Sequence, residues 1–109
     1  MIYGYELIIN VKDCKNISRD SLKTFVLTLC KKIEMKRYGD CRIVYFGKDE
    51  FRGYSLLQFI TTSSIVGHFT ESEAFLNIFS CKKFDKNIVI DFVKDWFDSK
   101  KIKFWFIRR

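Results

Sequence analysis

Apolar and polar positions alternate along this chain at two spacings, one of strands and one of helices. Tyr3 to Val11 (YGYELIINV) reads as a strand that ends at the polar stretch Lys12–Asn16. From Arg19 to Met35 the apolar residues Leu22, Phe25, Val26, Leu29 and Ile33 recur at helical spacing, with Ser18 placed to cap the first turn. Gly39–Asp40 interrupts that pattern. Cys41–Phe46 is a short β-branched and aromatic run, followed by the polar turn Gly47–Gly53. Three closely spaced strands are then predicted at Tyr54–Thr61, Ile65–Thr70 and Ala74–Phe79. Asp85 can cap a second helix with the stripe Ile88, Val89, Phe92, Val93, Trp96 and Phe97, and Lys103–Ile107 reads as a last strand. The order β-α-β-β-β-β-α-β predicts an α+β fold. It would be a two-layer sandwich, a largely antiparallel sheet with two helices on one face. The other face would stay open in a monomer, and an aromatic sheet face predicts dimerisation sheet to sheet.

Composition adjusts this picture more than it changes it. At 109 residues the chain is expected to form one domain over residues 1–109. A content of 48% hydrophobic and 17% aromatic residues excludes disorder. Twelve phenylalanines exceed what a core of this size readily absorbs, so some should line a pocket or a subunit interface. The formal charge is +7, with Lys100, Lys101, Lys103, Arg108 and Arg109 crowding the C-terminus. That crowd reads as a solvated basic tail. No helix-turn-helix, zinc finger or RNP motif accompanies the charge, so no nucleic-acid partner is expected. Cys14, Cys30, Cys41 and Cys81 form no CxxC pair and His68 is the one histidine, which predicts no metal site. No signal peptide is visible and no apolar run approaches the roughly 20 residues needed to span a bilayer. A cytoplasmic protein with reduced thiols and no membrane partner is the expectation. Proline is absent, so turns rest on glycine, asparagine and aspartate.

Few positions suggest chemistry. His68 lies five residues after Ser63, Ser55 stands one strand back, and Cys81 follows the next strand. A serine, a histidine and a cysteine from three adjacent strands could support nucleophilic or acid–base work. Residue type alone does not decide it. A lone histidine beside strands is more often a satisfied or surface residue, and Thr61–Thr62–Ser63–Ser64 equally describes a strand running into a turn.

The order of these residues is more specific. Gly53 to Asp85, GYSLLQFITTSSIVGHFTESEAFLNIFSCKKFD, resembles the core of the prokaryotic S-adenosylmethionine decarboxylase family. The matching features are Gly53-x-Ser55, Ser63 with His68 at plus five, and Asn77-Ile78-Phe79-Ser80-Cys81 leading into Lys82-Lys83-Phe84-Asp85. Tyr3-Gly4-Tyr5-Glu6-Leu7 and the following helix also look like the family, and the short loops resemble its compact, phage-encoded members. The resemblance implies a cofactor made from the chain itself. Ser63 would attack the carbonyl of Thr62, the chain would be cut between residues 62 and 63, and a pyruvoyl group would remain on Ser63. His68 would remove the Ser63 α-proton during processing and Ser55 would polarise the ester intermediate. The pyruvoyl carbonyl would bind the substrate's amine as a Schiff base and accept the electrons released on decarboxylation. Cys81 would then protonate the substrate, a role suited to a thiol, which is mostly protonated at neutral pH. The substrate implied is the small molecule S-adenosylmethionine, whose product donates the aminopropyl group of spermidine, and the working form implied is a homodimer of processed protomers.

Three departures from the family pattern stand out. Thr62 occupies a position that is often glutamate, but it contributes mainly a backbone carbonyl. Asn10 replaces an acidic residue of the first strand. The loop between His68 and Cys81 is short and lacks the Trp-Pro-Glu that supplies a ribose-binding carboxylate in longer relatives. Glu71 is the favoured substitute, with Glu73 beside it, although both also fit as exposed loop acids. Phe46 and Phe51 flank the turn before Ser55, where an aromatic could stack on adenine, and Phe51 is the one named for that role. The substrate is a sulfonium cation, so the basic excess is expected to lie away from the site. Asn10 and the trimmed loop keep arginine or ornithine open as substrates. An uncleaved homologue acting as a binding or regulatory subunit is the alternative of another class.

Overall fold

Six strands and two helices form in the predicted order, and the sheet is antiparallel at every pairing rather than largely so. The computed structural model describes all of residues 1–109. The strands are β1 (Tyr5–Val11), β2 (Arg37–Phe46), β3 (Gly53–Ile60), β4 (Ser63–Phe69), β5 (Ala74–Ser80) and β6 (Ile102–Arg108). They lie in the order β2-β3-β4-β5-β1-β6. Helix α1 spans Arg19–Lys32 and helix α2 spans Lys86–Phe97. Ser18 accepts from the Ser21 amide and Asp85 from the Asn87 amide, so each helix starts where its predicted cap stands.

Period-two alternation sorts the strand residues onto two faces. Leu7, Ile9, Val11, Leu56, Ile60, Ile65, Phe69, Leu76 and Ile78 point to the helices and are buried. They meet Leu22, Phe25, Val26 and Leu29 of α1 and Val89, Phe92, Val93 and Phe97 of α2 in one core. Phe25 is its centre, packing against Phe69, Phe92, Trp96 and Phe97 with ring centroids 5.1–6.4 Å away. The α2 stripe differs at one position: Ile90 is buried and Ile88 lies exposed.

Two of the departures from the predicted boundaries have a cause in the pairing of the strands. β2 begins at Arg37, four residues before the expected Cys41, because the strand continues through an irregularity between Tyr38 and Arg42. Gly39 has φ +77 there, and the buried Gln58 donates from Nε2 to the Gly39 carbonyl at 3.0 Å. The glycine therefore bends the edge strand instead of ending it. β4 begins at Ser63, because Thr61 and Thr62 alone make the turn and Ile60 pairs with Ser63.

The second face of the sheet has no cover in the protomer. Phe46, Phe59, Val66, Phe75, Trp105 and Ile107 stand exposed on it. Among them runs a shallow concavity of about 630 Å³ whose polar lining is Asn10, Arg42, Ser55, His68 and Asn77.

Candidate functional site

Ser63 and Cys81 meet at the turn end of the β3–β4 hairpin. The backbone N–H of Cys81 donates to Ser63 Oγ at 2.9 Å. The Cys81 thiol reaches the Thr62 carbonyl oxygen at 3.3 Å. Topology accounts for both contacts: β5 lies beside β4, and the register sets Ser64 opposite Phe79, so the residues just beyond β5 pass the turn. The Ser63 hydroxyl, the Thr62 carbonyl and the Cys81 thiol thus occupy one corner.

Ser55 and His68 meet at the opposite end of the same hairpin. They face each other across β3 and β4, with Ser55 Oγ 2.8 Å from His68 Nδ1. His68 Nε2 lies 2.8 Å from the Phe51 carbonyl. A carbonyl only accepts, so Nε2 carries the proton, and in the neutral imidazole Nδ1 accepts from the Ser55 hydroxyl. The 3-10 turn Asp49–Phe51 supplies this anchor, and Gly53 lets it close. A Cβ on Gly53 would collide with the Phe69 carbonyl oxygen, which gives the Gly53-x-Ser55 pattern its physical reason.

The expected gathering of serine, histidine and cysteine from adjacent strands therefore does not occur within one chain. Ser63 pairs opposite Ile60 and His68 opposite Ser55, five residues further along β4. At about 3.3 Å per residue this separation is about 17 Å. Sequence proximity misleads here because five residues of strand are fully extended.

The remaining named residues cluster at the His68 end. Glu71 is exposed in the turn after β4 and shares a cleft of about 550 Å³ with Asp49, Glu50, Arg52 and Glu73. The Phe51 side chain is 71% exposed and contributes its backbone carbonyl to His68. The Phe46 ring lies edge-on to the imidazole, with ring centres 6.4 Å apart. Asn10 opens into the concavity. The first strand does bring a carboxylate to this face, at Glu6, which accepts from Asn77 at 3.0 Å and from Arg109 at 3.2 Å.

Lys82 follows Cys81 directly, its ammonium donating to the Glu34 carbonyl at 3.1 Å. The Lys36 carbonyl accepts from the Thr61 amide at 3.1 Å, and Arg37 opens β2 at the same end. Basic residues therefore stand next in sequence to Cys81 and at the start of β2, at the same end of the sheet as Ser63. Of the C-terminal cations, Lys101 pairs with Asp13 at 2.7 Å and Arg109 with Glu6, so the final strand is tied into the sheet and is not a free tail. Burial pushes the Cys14 and Cys30 thiols up to about 11 and raises Cys41 as well, whereas Cys81 is exposed. No three histidine, cysteine or acidic side chains are grouped to hold a metal ion, and no helix is long and apolar enough to cross a membrane.

A six-stranded antiparallel sheet under two helices, with its other face open, defines a distinct class of α+β sandwich. The crystal structure of the adenosylmethionine decarboxylase from Aquifex aeolicus VF5 has this fold, with a TM-score of 0.82 at 14% identity over 99% of this chain and 91% of that one. No curated protein sequence matches the chain. The family described as S-adenosylmethionine decarboxylase matches residues 5–109. The chain belongs to that family of pyruvoyl-dependent decarboxylases.

Proposed function

We propose that this chain is a decarboxylase precursor that cuts itself between Thr62 and Ser63, carries a pyruvoyl group at residue 63, and acts on S-adenosylmethionine. One observation carries the reading: Ser63 Oγ is held by the Cys81 amide while the Cys81 thiol sits on the Thr62 carbonyl oxygen. Attack of Ser63 Oγ on the Thr62 carbonyl carbon drives negative charge onto the oxygen that the thiol reaches. The C–N bond then breaks, the hydroxyl proton passes to the released amine, and an ester joins the two residues. Loss of the Ser63 α-proton breaks the Cβ–O bond and frees Thr62 as a carboxylate. The dehydroalanine left at residue 63 takes up one water and loses ammonia, which leaves the pyruvoyl group. That group supplies the electron sink for decarboxylation. Ser63 fits as its origin because its hydroxyl is already fixed beside the bond to be cut. Cys81 then serves twice, first at the Thr62 oxygen and later as proton donor to the substrate.

The base for the α-proton is His68 of a second copy. About 17 Å separates Ser63 from its own His68, so the two halves belong to different protomers. A homodimer stacked sheet to sheet, with strand ends reversed, sets each Ser63–Cys81 corner on the other copy's Ser55–His68 pair. The exposed Phe46, Phe59, Val66 and Phe75 give such an interface an apolar centre. Charge supports the same pairing, since the lysine-rich corner meets the end that carries Asp49, Glu50, Glu71 and Glu73. These carboxylates suit a sulfonium cation, with Glu71 the one assigned to substrate and Phe46 better placed than Phe51 to stack on adenine. The product supplies the aminopropyl donor for spermidine, in a reducing cytoplasm that keeps the thiols free. Asn10, facing the concavity where relatives carry an acid, favours arginine or ornithine as the second reading.

Intact-mass analysis of the purified protein tests the cleavage. Fragments 1–62 and 63–109, the latter with a pyruvoyl terminus, are expected; one uncut species after prolonged incubation contradicts the reading and leaves the non-catalytic homologue. Carbon dioxide release from S-adenosylmethionine, arginine and ornithine, measured side by side, then decides the substrate.

A further inference from the structure

The β3–β4 turn is strained at the residue whose carbonyl precedes Ser63. A two-residue hairpin loop requires positive φ at one or both central positions, and glycine, asparagine or aspartate normally fills them. Here the loop is Thr61–Thr62, and Thr62 has φ +58. A β-branched residue in the left-handed region is an outlier, since its Cβ crowds the backbone. Neighbours hold it there. Ile60 pairs with Ser63, the Thr61 amide donates to the Lys36 carbonyl at 3.1 Å, and the Cys81 thiol is on the Thr62 oxygen at 3.3 Å. Strain of this kind persists only where the surroundings over-determine the conformation.

We propose that the left-handed Thr62 acts as a spring for self-cleavage, raising the energy of the uncut turn relative to the ester that follows. The inference rests on the self-cleavage reading. Acyl transfer forms the bond from Ser63 Oγ to the Thr62 carbonyl carbon and breaks the bond to the Ser63 nitrogen, and the hydroxyl proton ends on that nitrogen. The path from the Thr62 carbonyl to the Ser63 Cα then runs through Oγ and Cβ instead of through nitrogen alone. The loop gains one atom, and Thr62 can leave the left-handed region. Thr62 is on this view a positioning residue through its backbone, and its hydroxyl, which donates to the Thr61 carbonyl at 2.7 Å, is dispensable.

Two series of variants test this. In an uncleavable Ser63→Ala chain, Thr62→Gly and Thr62→Asn should raise Tm by about 4 °C or more, while Thr62→Val should not raise it. In the Ser63 chain the order should invert. Thr62→Gly and Thr62→Asn should cleave about tenfold more slowly, a difference of about 1.4 kcal/mol, and Thr62→Val within about threefold of the natural chain. Asparagine guards against reading glycine's flexibility as strain relief. Cleavage of Thr62→Gly and Thr62→Asn at the natural rate, or no gain in Tm in the Ser63→Ala series, overturns the spring and leaves self-cleavage standing. A natural chain that never cleaves overturns both.

Discussion

The two ends of the β3–β4 hairpin hold different chemical groups, Ser63 with Cys81 at the turn and Ser55 with His68 at the far end. The turn end holds the Ser63 hydroxyl, the Thr62 carbonyl and the Cys81 thiol within 3.3 Å contacts, with Lys82 next in the chain. The far end fixes an imidazole with a defined tautomer, a hydroxyl and a group of carboxylates. Each end lacks the groups the other holds, and an extended strand keeps them apart. Under the proposed function, a second copy brings the two pairs together. The open apolar face is the surface that can do so.

Breaking the contact between copies should have the largest effect on this comparison. Val66 stands exposed at the middle of the open face, between the two ends of β4. Val66→Asp buries an unpaired charge in a stacked dimer, and it should leave a folded monomer with cleavage slowed more than about a hundredfold. Sedimentation analysis with mass spectrometry checks this; a monomer that cleaves at the natural rate would sever the link between assembly and site. Gly53→Ala should act next, and at one end only. Its Cβ forces the Phe69 backbone away, destabilising the fold by about 2 kcal/mol and loosening Ser55 from His68. Denaturant melts check the stability, and the Cys81–Ser63 corner should still form. Cys81→Ala should lower carbon dioxide release per processed chain by about tenfold to a hundredfold, with slower but measurable cleavage. Equal turnover in the processed variant would remove Cys81 from the decarboxylation step.

A smaller effect sharpens the comparison between exposed and buried thiols. Cys81 should react with an alkylating reagent at pH 8, while Cys14 and Cys30, buried and raised to about 11, stay unlabelled until the protein unfolds. Their folded pKa lies above the ordinary thiol value of 9.0, so the native state holds protons that the unfolded chain releases. The stabilising contribution of these two thiols should therefore be complete below about pH 9 and be lost as pH rises toward 11. Thermal melts across that range read the slope.

Much of the fold was legible because period and capping agree. Leu22, Phe25, Val26, Leu29 and Ile33 marked one helix face, Ser18 and Asp85 marked two starts, and both signals act within a few residues. Gly39 was misread as a terminator because a positive φ serves a bulge as readily as a turn, and only pairing with β3 distinguishes them. For the site, Ser55, Ser63, His68 and Cys81 were readable as a set from their order along the chain. Their division into two pairs was not, because it follows from which strands lie adjacent and from how far a strand extends. The Cys81 contact to the Thr62 oxygen and the place of Phe46 beside His68 also needed the register.

The account turns on sites shared between copies, and co-expression of two inactive chains tests that most directly. One chain carries Ser63→Ala and keeps His68; the other carries His68→Ala and keeps Ser63. Each alone should remain uncut. Together, a mixed dimer joins the Ser63–Cys81 corner of the second chain to the His68 of the first, so fragments 1–62 and 63–109 should come from the His68→Ala chain. Failure of that chain to cleave in a mixed dimer shown to have formed would contradict the shared site.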